Sequence, residues 1–236
     1  MSFEFTERPD WSRRLAVFDL ETTGLDLREA RIVTACAVEI DENGQVVGPN
    51  LEWLADPGIE IPEAASNVHG VTTEIARANG RPAKEVVSEL LEALNGFFSQ
   101  GIPVVAYNAP YDFTILHFEA LRHGLDPIAE PKPVIDPLVL DKFVDTYRSG
   151  KRTLEAASKT YGVLLDDAHN ATADAVAAGR VAQAIATKYA EKLPDDVNVL
   201  HNSQIEWSAS QDASYEKFRR GSAPDFTVQR GWPVKL

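Results

Sequence analysis

The chain has 236 residues, of which 44% are hydrophobic and 25% are charged, a composition that suits one large domain with a packed core and a short appendage. Its 23 basic and 36 acidic side chains give a net charge of −13, which repels polyanions at long range. Charge alone therefore argues against a nucleic-acid-binding protein, unless metal ions and a few Lys or Arg side chains restore attraction locally.

The single cysteine, Cys36, excludes an intramolecular disulfide and a thiolate-rich metal site. Residues 1–11 are polar and acidic and lack the apolar segment of a signal peptide. No apolar run is long enough to cross a bilayer. We therefore expect a reduced, cytoplasmic compartment and no membrane partner.

The chain begins with a predicted three-strand meander. Residues 15–20 form an apolar strand that stops at the turn Thr22-Thr23-Gly24. A second strand covers 31–40, and a third covers 45–54. Between them, Asp41-Glu42-Asn43-Gly44 is typical of a tight hairpin, because Asn-Gly tolerates the positive φ that such turns need.

Helices alternate with short strands after the meander. Apolar periodicity and capping residues predict helices at 72–78, 82–98, 111–123, 136–147, 153–160 and 172–193. Two further buried strands are predicted at 103–107 and 134–135. Strands that come first as a meander and then alternate with helices predict an α/β fold, with a mixed sheet flanked by helices.

The composition becomes more polar after residue 194, which divides the chain into a domain over 1–194 and a C-terminal tail over 195–236. Within the tail, four residues recur at helical spacing, namely Trp207, Gln211, Tyr215 and Phe218. This pattern favours a short amphipathic helix packed back on the domain over a motif that docks a partner.

Asp19 and Glu21 lie at the end of the first predicted strand. Side chains two residues apart in a strand point to the same face, so the two carboxylates repel each other unless a cation lies beside them. Oxygen ligands of this kind suit Mg²⁺ or Mn²⁺. A simpler alternative is that one of the pair caps a turn or faces solvent.

Two later segments place polar residues where strands end and helices begin. Asn108 and Asp112 lie at the first of these junctions, and His169 and Asp174 lie at the second. Helix capping accounts for Asn108 and the aspartates one by one, and His169 also fits a surface residue. Together, the four carboxylates and the histidine are enough to hold two cations and supply one base for phosphoryl transfer.

These segments resemble the three exonuclease motifs of the DEDDh exonucleases, a family that includes the proofreading epsilon subunit of bacterial DNA polymerase III, ribonuclease T and oligoribonuclease. The motifs are Asp19-x-Glu21-Thr-Thr-Gly24, Asn108-x-x-Tyr-Asp112 and His169-x-x-x-x-Asp174. Each motif is weak alone, but their shared order is specific, and the resemblance extends from about residue 15 to about residue 189. It implies a ribonuclease H-like fold with a five-stranded mixed sheet, and it makes 1–194 the exonuclease domain.

The resemblance also implies roles for single residues. Two Mg²⁺ or Mn²⁺ ions would be ligated by Asp19, Glu21, Asp112 and Asp174. His169 would be the general base that acts on the attacking water. Contacts to the 3′-terminal nucleotide are implied for Thr22, Thr23, Gly24, His69, Asn108 and Phe113.

The roles of three residues have alternative interpretations. His69, in Asn67-Val-His69-Gly-Val-Thr72, fits a substrate contact better than a structural histidine, although both remain open. Phe113 fits a base-stacking residue, but its helical spacing with Leu116 and Ala120 favours the core. Asp136 recurs near this point in the family, and we interpret it as a helix cap and not as a metal ligand.

The implied function is a metal-dependent 3′–5′ exonuclease that releases nucleoside 5′-monophosphates from single-stranded or frayed DNA ends. The implied partner is a nucleic-acid 3′ end, with DNA favoured over RNA, and replication or repair proteins are candidate partners. Two alternatives remain open, an exoribonuclease of the oligoribonuclease or ribonuclease T kind and a non-catalytic module that binds 3′ ends. A weaker interpretation takes Gln204-Ile-Glu-Trp207 as a sliding-clamp contact. The oligomeric state is not predicted.

Overall fold

The computed structural model describes residues 8–165 and 170–236, and its centre is a six-stranded mixed sheet in the order β4-β3-β2-β1-β5-β6. The strands are β1 (Leu15–Thr22), β2 (Ile32–Ile40), β3 (Val46–Asp56), β4 (Arg81–Pro82), β5 (Val104–Val105) and β6 (Val134–Ile135). Strands β1 to β3 form the predicted antiparallel meander, and β5 and β6 extend it in parallel. The predicted fold class is confirmed, but the predicted strand number of five was wrong.

The sixth strand, β4, was not predicted. Its two residues pair in parallel with Ala55 and Asp56 at the end of β3. One of them, Pro82, lacks an N–H and also precedes a helix, so the segment has no alternating strand pattern. The chain packs closely at Gly80, just before β4. A Cβ at this position would lie 2.5 Å from the backbone nitrogen of Asp56, so the pairing leaves no room for a side chain.

Eight α-helices surround the sheet in the described residues. They are α1 (Glu63–His69), α2 (Thr73–Asn79), α3 (Ala83–Ser99), α4 (Pro110–Arg122), α5 (Pro137–Val144), α6 (Leu154–Tyr161), α7 (Ala171–Lys188) and α8 (Val197–Arg220), with short 3-10 helices at Asp10–Arg13 and Ala190–Lys192. Helices α2 to α7 lie where the sequence predicts them, although α5 and α7 end before the predicted 147 and 193. Helix α1 was not predicted, because it buries no residue and so lacks an apolar stripe. None of the helices in the described part is both long and apolar enough to span a membrane.

The sheet separates two hydrophobic cores. Along β1, Ala16 and Phe18 pack with residues of α3 and α4, whereas Leu15 and Val17 pack with residues of α7. Side chains alternate along a strand, so Asp19 and Glu21 continue the series of Leu15 and Val17. Both carboxylates therefore lie on the face of the sheet that α7 covers.

The tail forms a 24-residue helix, α8, which is longer than the short helix predicted. The Gln204 amide donates to the Val134 carbonyl at 3.0 Å, and its oxygen accepts from the Asp136 N–H at 2.7 Å. The Trp207 ring stacks on Phe143 with centroids 3.7 Å apart. These contacts join α8 to β6 and α5, while the division of the chain at residue 194 stays a prediction.

The buried Gln204 bears on the sliding-clamp interpretation. Its side chain is fully buried and bonded to the sheet, so it is not available to a partner in this conformation. The interpretation of Gln204-Ile-Glu-Trp207 as a clamp contact is therefore corrected, because the segment forms packing contacts within the chain.

Candidate active site

Asp19 and Glu21 lie near the C-terminal end of β1, beyond the part of the strand that pairs with β5. In the antiparallel register with β2, Asp19 lies opposite Cys36 and Glu21 lies opposite Thr34. The parallel pairing with β5 stops at Val17, which leaves that side of the strand end open. The register shifts between Glu21 and Thr22, and irregularities of this kind commonly re-aim side chains beside functional sites.

Asp112 comes to this strand end from the first turn of α4. Its side chain is buried, and its Oδ1 accepts a hydrogen bond from the Leu20 N–H at 3.1 Å. Leu20 lies between Asp19 and Glu21, so this bond fixes the start of α4 against the two carboxylates of β1. The third predicted motif residue thus joins the first two.

Asp174 comes from the first turn of α7. The helix is capped by Asn170, whose Oδ1 accepts from the N–H groups of Thr172 and Ala173 at 3.1 and 3.2 Å. The Thr172 hydroxyl donates to the Glu52 carboxylate on β3, which ties the helix start to the sheet. Asn170, and not Asp174, is therefore the cap of α7.

Burial and neighbouring carboxylates raise the pKa values of Asp19, Glu21 and Asp112. Burial is the largest cause of the raised pKa of Asp19, followed by the charges of Asp112, Glu21 and Asp174. Burial and the charge of Asp174 raise the pKa of Glu21 to about 7. Burial also raises the pKa of Asp112, although the Leu20 N–H opposes that rise. Ionisation of these carboxylates therefore concentrates negative charge in a poorly hydrated part of the protein, which is unfavourable unless a cation neutralises it.

The chemistry of these donors fits a divalent cation. In residues 8–165 and 170–236, no group of three or more His, Cys, Asp or Glu side chains is already arranged as a metal site. The fit depends instead on four oxygen donors that repel one another, since a hard cation removes that repulsion. His169 lies outside the described residues, and its role as a base stays a prediction.

A hydroxyl pair fixes the turn after β1. The Thr22 and Tyr111 hydroxyls lie 2.6 Å apart, and each is 2.9 Å from the Gly24 carbonyl oxygen. The Thr23 hydroxyl accepts from the Arg31 N–H at 2.9 Å. The side chains of Thr22 and Thr23 are thus engaged within the protein, and their predicted contact with the 3′ nucleotide stays a prediction. Tyr111 was not predicted as a structural residue, although it lies inside the second motif.

Phe113 is a core residue. It is 3% exposed, packs edge-to-face on Phe18 with centroids 5.3 Å apart, and lies 6.5 Å from the Phe98 ring. A base cannot stack on a ring that is covered by the sheet and α3. The predicted substrate contact of Phe113 is therefore corrected, and the helical spacing with Leu116 and Ala120 indicated the right environment.

A cleft of about 380 Å³ opens between β2, β3, the end of α1 and the start of α7, and one of its lining residues, Thr34, lies opposite Glu21 in the sheet. Its lining includes Thr34, Trp53, His69, Asn170 and Thr172. Burial lowers the pKa of His69, an effect that a hydrogen bond with the Thr22 backbone opposes, and the lowered pKa favours the neutral imidazole. The cleft lies at the small end of the volumes typical of ligand pockets.

Asn108 lies at the turn between β5 and α4. Its φ of 62° is the only left-handed value at a non-glycine residue in the described part of the chain. Its N–H donates to the Asp136 carboxylate at 2.9 Å. Asp136 caps α5 by accepting from the Leu138 N–H, which confirms its predicted role as a helix cap.

The family model for exonucleases, RNase_T, matches residues 16–182. This range contains all three motifs and the four carboxylates described above. The chain belongs to the DEDD-type 3′–5′ exonuclease family. Residues 16–182 are thus an exonuclease domain, and exonucleases are hydrolases. The prediction of an exonuclease from the three motifs is confirmed.

Relatives of this exonuclease domain occur in bacterial polymerases. The chain is 32% identical over 168 residues to the PolC-type DNA polymerase III of Pediococcus pentosaceus, covering 71% of this chain and 11% of the relative. It is also 32% identical over 164 residues to a DNA polymerase III subunit epsilon-like protein of Rhodobacter capsulatus, covering 68% and 22%. The chain therefore spans only about a tenth to a fifth of these relatives.

Solved structures share the fold of this exonuclease. A complex of Escherichia coli exonuclease I with a dA16 oligonucleotide matches with a TM-score of 0.64 and 19% identity, over 76% of this chain and 42% of that chain. A zinc-bound form of the complex of exonuclease I with single-stranded DNA matches with the same TM-score and identity. At this level of identity, the likeness shows the fold alone.

Proposed function

We propose that this exonuclease hydrolyses the phosphodiester bond at the 3′ end of single-stranded or frayed DNA and releases nucleoside 5′-monophosphates. The observation that carries the proposal is the convergence of Asp19, Glu21, Asp112 and Asp174 from three elements that are far apart in sequence. A protein that only binds 3′ ends has no need to bring four mutually repelling carboxylates together.

In this proposal, the four carboxylates hold two Mg²⁺ or Mn²⁺ ions. When bound, such ions offset the charge that develops on the phosphate and make water a better nucleophile. His169 takes the proton of the attacking water, a role that suits a neutral imidazole at physiological pH. The hydrogen bond from the Leu20 N–H holds the Asp112 carboxylate, so that its position does not depend on the substrate.

The cleft lined by Thr34 would receive the terminal nucleotide. His69 and Asn170 line it, and Gly24 lies at the turn fixed by Thr22 and Tyr111. A Cβ on Gly24 would have no neighbour within 4 Å, so the turn is open at this position, where we propose that Gly24 contacts the nucleotide. The exposed Asn108 lies at the other side of the strand end, where we propose that it contacts the substrate.

DNA is the substrate that the relatives favour. The structural neighbours include exonuclease I bound to a dA16 oligonucleotide and to single-stranded DNA with zinc, and the sequence relatives are polymerase III proteins. We therefore propose DNA as substrate, a divalent metal as cofactor and replication or repair proteins as partners. Because the net charge of −13 repels a polyanion at long range, we propose that attraction to the substrate is confined to the metal site.

A substrate panel tests the proposed function. Single-stranded DNA, paired and mismatched duplex ends, matched RNA and dinucleotides are each incubated with Mg²⁺ or Mn²⁺, and products are resolved by size. We expect stepwise release of 5′-monophosphates from 3′ ends of DNA, fastest from single-stranded and mismatched ends and abolished by EDTA. Faster release from RNA would replace DNA by RNA as the substrate, and tight binding without turnover would overturn the proposal in favour of a binding module.

Metal binding is expected to change the pH dependence of stability. The pKa of Glu21 is raised from 4.5 to about 7, so the folded protein holds this proton more tightly than the unfolded chain. The resulting stabilisation is complete below pH 4.5 and is lost as the pH rises through 7. After allowance for solvent screening, we expect a loss on the order of 2 kcal/mol in the metal-free protein, and smaller losses when Mg²⁺ is present.

Urea unfolding at pH 5 and pH 8, with EDTA or with Mg²⁺, measures this effect. Glu21→Gln is the matched variant, because it cannot titrate at this position. We expect it to reduce the loss of stability between the two pH values in EDTA. The explanation is wrong if the wild type and Glu21→Gln show the same difference, or if Mg²⁺ stabilises the protein as much at pH 5 as at pH 8.

A further inference from the structure

Asp136 accepts four hydrogen bonds although it is not one of the motif residues. Its carboxylate is 1% exposed and accepts from the N–H groups of Asn108, Ala109 and Leu138 at 2.9, 3.0 and 2.9 Å. The fourth donor is the indole Nε1 of Trp232 at 3.3 Å. Only the Leu138 bond is a helix cap, so the other three need a different explanation.

Two of these bonds fix the turn that leads into Asp112. Asn108 has a left-handed backbone with a φ of 62°, a conformation that is uncommon outside glycine, although Asn adopts it more readily than most residues. The Asn108 carbonyl accepts from the Tyr111 N–H at 2.9 Å, and the Ala109 carbonyl accepts from the Phe113 N–H at 3.0 Å. Asp136 therefore holds the two residues on which the first turn of α4, and with it Asp112, is built.

The C-terminal residues approach the same place from two sides. The Gln204 oxygen of α8 accepts from the Asp136 N–H at 2.7 Å. Beyond α8 the chain returns, so that Trp232 is buried against Asp136, and the Lys235 N–H donates to the Thr114 hydroxyl on α4 at 2.9 Å. The tail thus contacts both Asp136 and the helix that carries Asp112.

We propose that Trp232 and Asp136 are positioning residues for Asp112, so that through Trp232 the C-terminal tail helps to set the geometry of hydrolysis. The Trp232 N–H orients the Asp136 carboxylate. That carboxylate in turn accepts from the N–H groups of Asn108 and Ala109 and so fixes the left-handed backbone at Asn108, from which the chain runs into Asp112. The inference deepens the proposed function and rests on it for its consequence in catalysis. A Trp232 that only fills the core would act through its ring and not through its N–H.

Trp232→Phe keeps the aromatic ring and removes the donor, and Asp136→Asn replaces an acceptor oxygen by an amide. Arg230→Ala is the matched control. Arg230 lies in the same tail but forms an ion pair with Glu216, and it is not among the hydrogen-bond donors to Asp136 in the described residues. Amide hydrogen exchange of Asn108 and Ala109 is measured beside that of Val38 in β2, together with kcat and KM on a single-stranded DNA.

We expect Trp232→Phe to speed exchange of the two turn amides and to lower kcat, each about fivefold, with KM within about twofold of wild type. Asp136→Asn should have a larger effect of the same kind, since it weakens bonds to a charged acceptor. Val38 exchange should stay within about twofold in both, which separates local release of the turn from general unfolding, and Arg230→Ala should change none of these quantities.

The proposal is overturned if turn exchange and kcat stay at wild-type values in both Trp232→Phe and Asp136→Asn, or if kcat falls while turn exchange is unchanged. It is also overturned if Arg230→Ala reproduces the effects of Trp232→Phe. If the wild type hydrolyses no substrate, the proposed function fails, and the exchange measurements still decide whether the tail holds the turn.

Discussion

Asp19→Asn is expected to lower the rate of 3′-end hydrolysis by about 10³-fold or more and, at the same time, to stabilise the metal-free protein. Asp19 is the carboxylate whose pKa is raised by all three of the others, Asp112, Glu21 and Asp174, which places it centrally among them. An amide of the same shape removes a ligand charge, and loss of such a charge costs several kcal/mol of transition-state stabilisation. The same change relieves repulsion in the folded state, worth on the order of 1 kcal/mol at pH 8.

The opposite signs of the two effects make the prediction specific. Single-turnover rates on a 3′-labelled oligonucleotide and urea unfolding in EDTA measure them on the same preparation. Glu92→Gln is the control, since Glu92 is exposed on α3 and its neutralisation should change neither quantity. An Asp19→Asn protein that is as active as wild type would show that Asp19 is not a metal ligand, and one that is less stable would show that its charge is already compensated.

The places of Asp19, Glu21 and Asp112 in the fold could be predicted because each lies where a local pattern ends. The apolar run of β1 stops at Asp19 and Glu21, and Pro110 marks the start of the helix that carries Asp112. Period-two and helical patterns depend on neighbours in sequence, so they locate these junctions well. The structure adds the bond from the Leu20 N–H to Asp112, which no pattern indicates because the two residues are far apart in the chain.

Several features that sequence reasoning missed depend on contacts between distant segments. β4 exists because Arg81 and Pro82 pair with the end of β3, and the residues themselves have no strand character. Trp232 lies in a polar tail, yet it is buried against Asp136. Phe113 was given a substrate role by family resemblance, whereas its spacing with core residues was the better guide. The local sequence pattern was thus the better guide to the burial of Phe113. Neither pattern nor resemblance could predict β4 or the burial of Trp232, because both depend on tertiary contacts.

The second large effect is expected at Gly179, where α7 packs tightly on the sheet. A Cβ on Gly179 would come within 2.5 Å of Val17 Cγ1 and 2.6 Å of Ile40 Cδ1, so Gly179→Ala forces α7 away from β1 and β2. We expect a loss of about 2 kcal/mol in the free energy of unfolding, because overpacking outweighs the better helix propensity of alanine. Asp174 lies five residues earlier on the same helix, and its displacement should lower the hydrolysis rate about 10- to 100-fold.

A double-mutant cycle with Val17→Ala tests the cause. Val17→Ala alone leaves a cavity and should cost about 2 kcal/mol. In the Gly179→Ala background it removes one of the two clashing methyl groups, that of Val17, and should cost less. The coupling between the two sites, measured by urea unfolding, is expected to be about 1 to 2 kcal/mol in favour of the double variant, with a partial return of hydrolysis. Additive losses would mean that Val17 is not the side chain that opposes the added methyl group, and the explanation by close contact between α7 and Val17 would then be wrong.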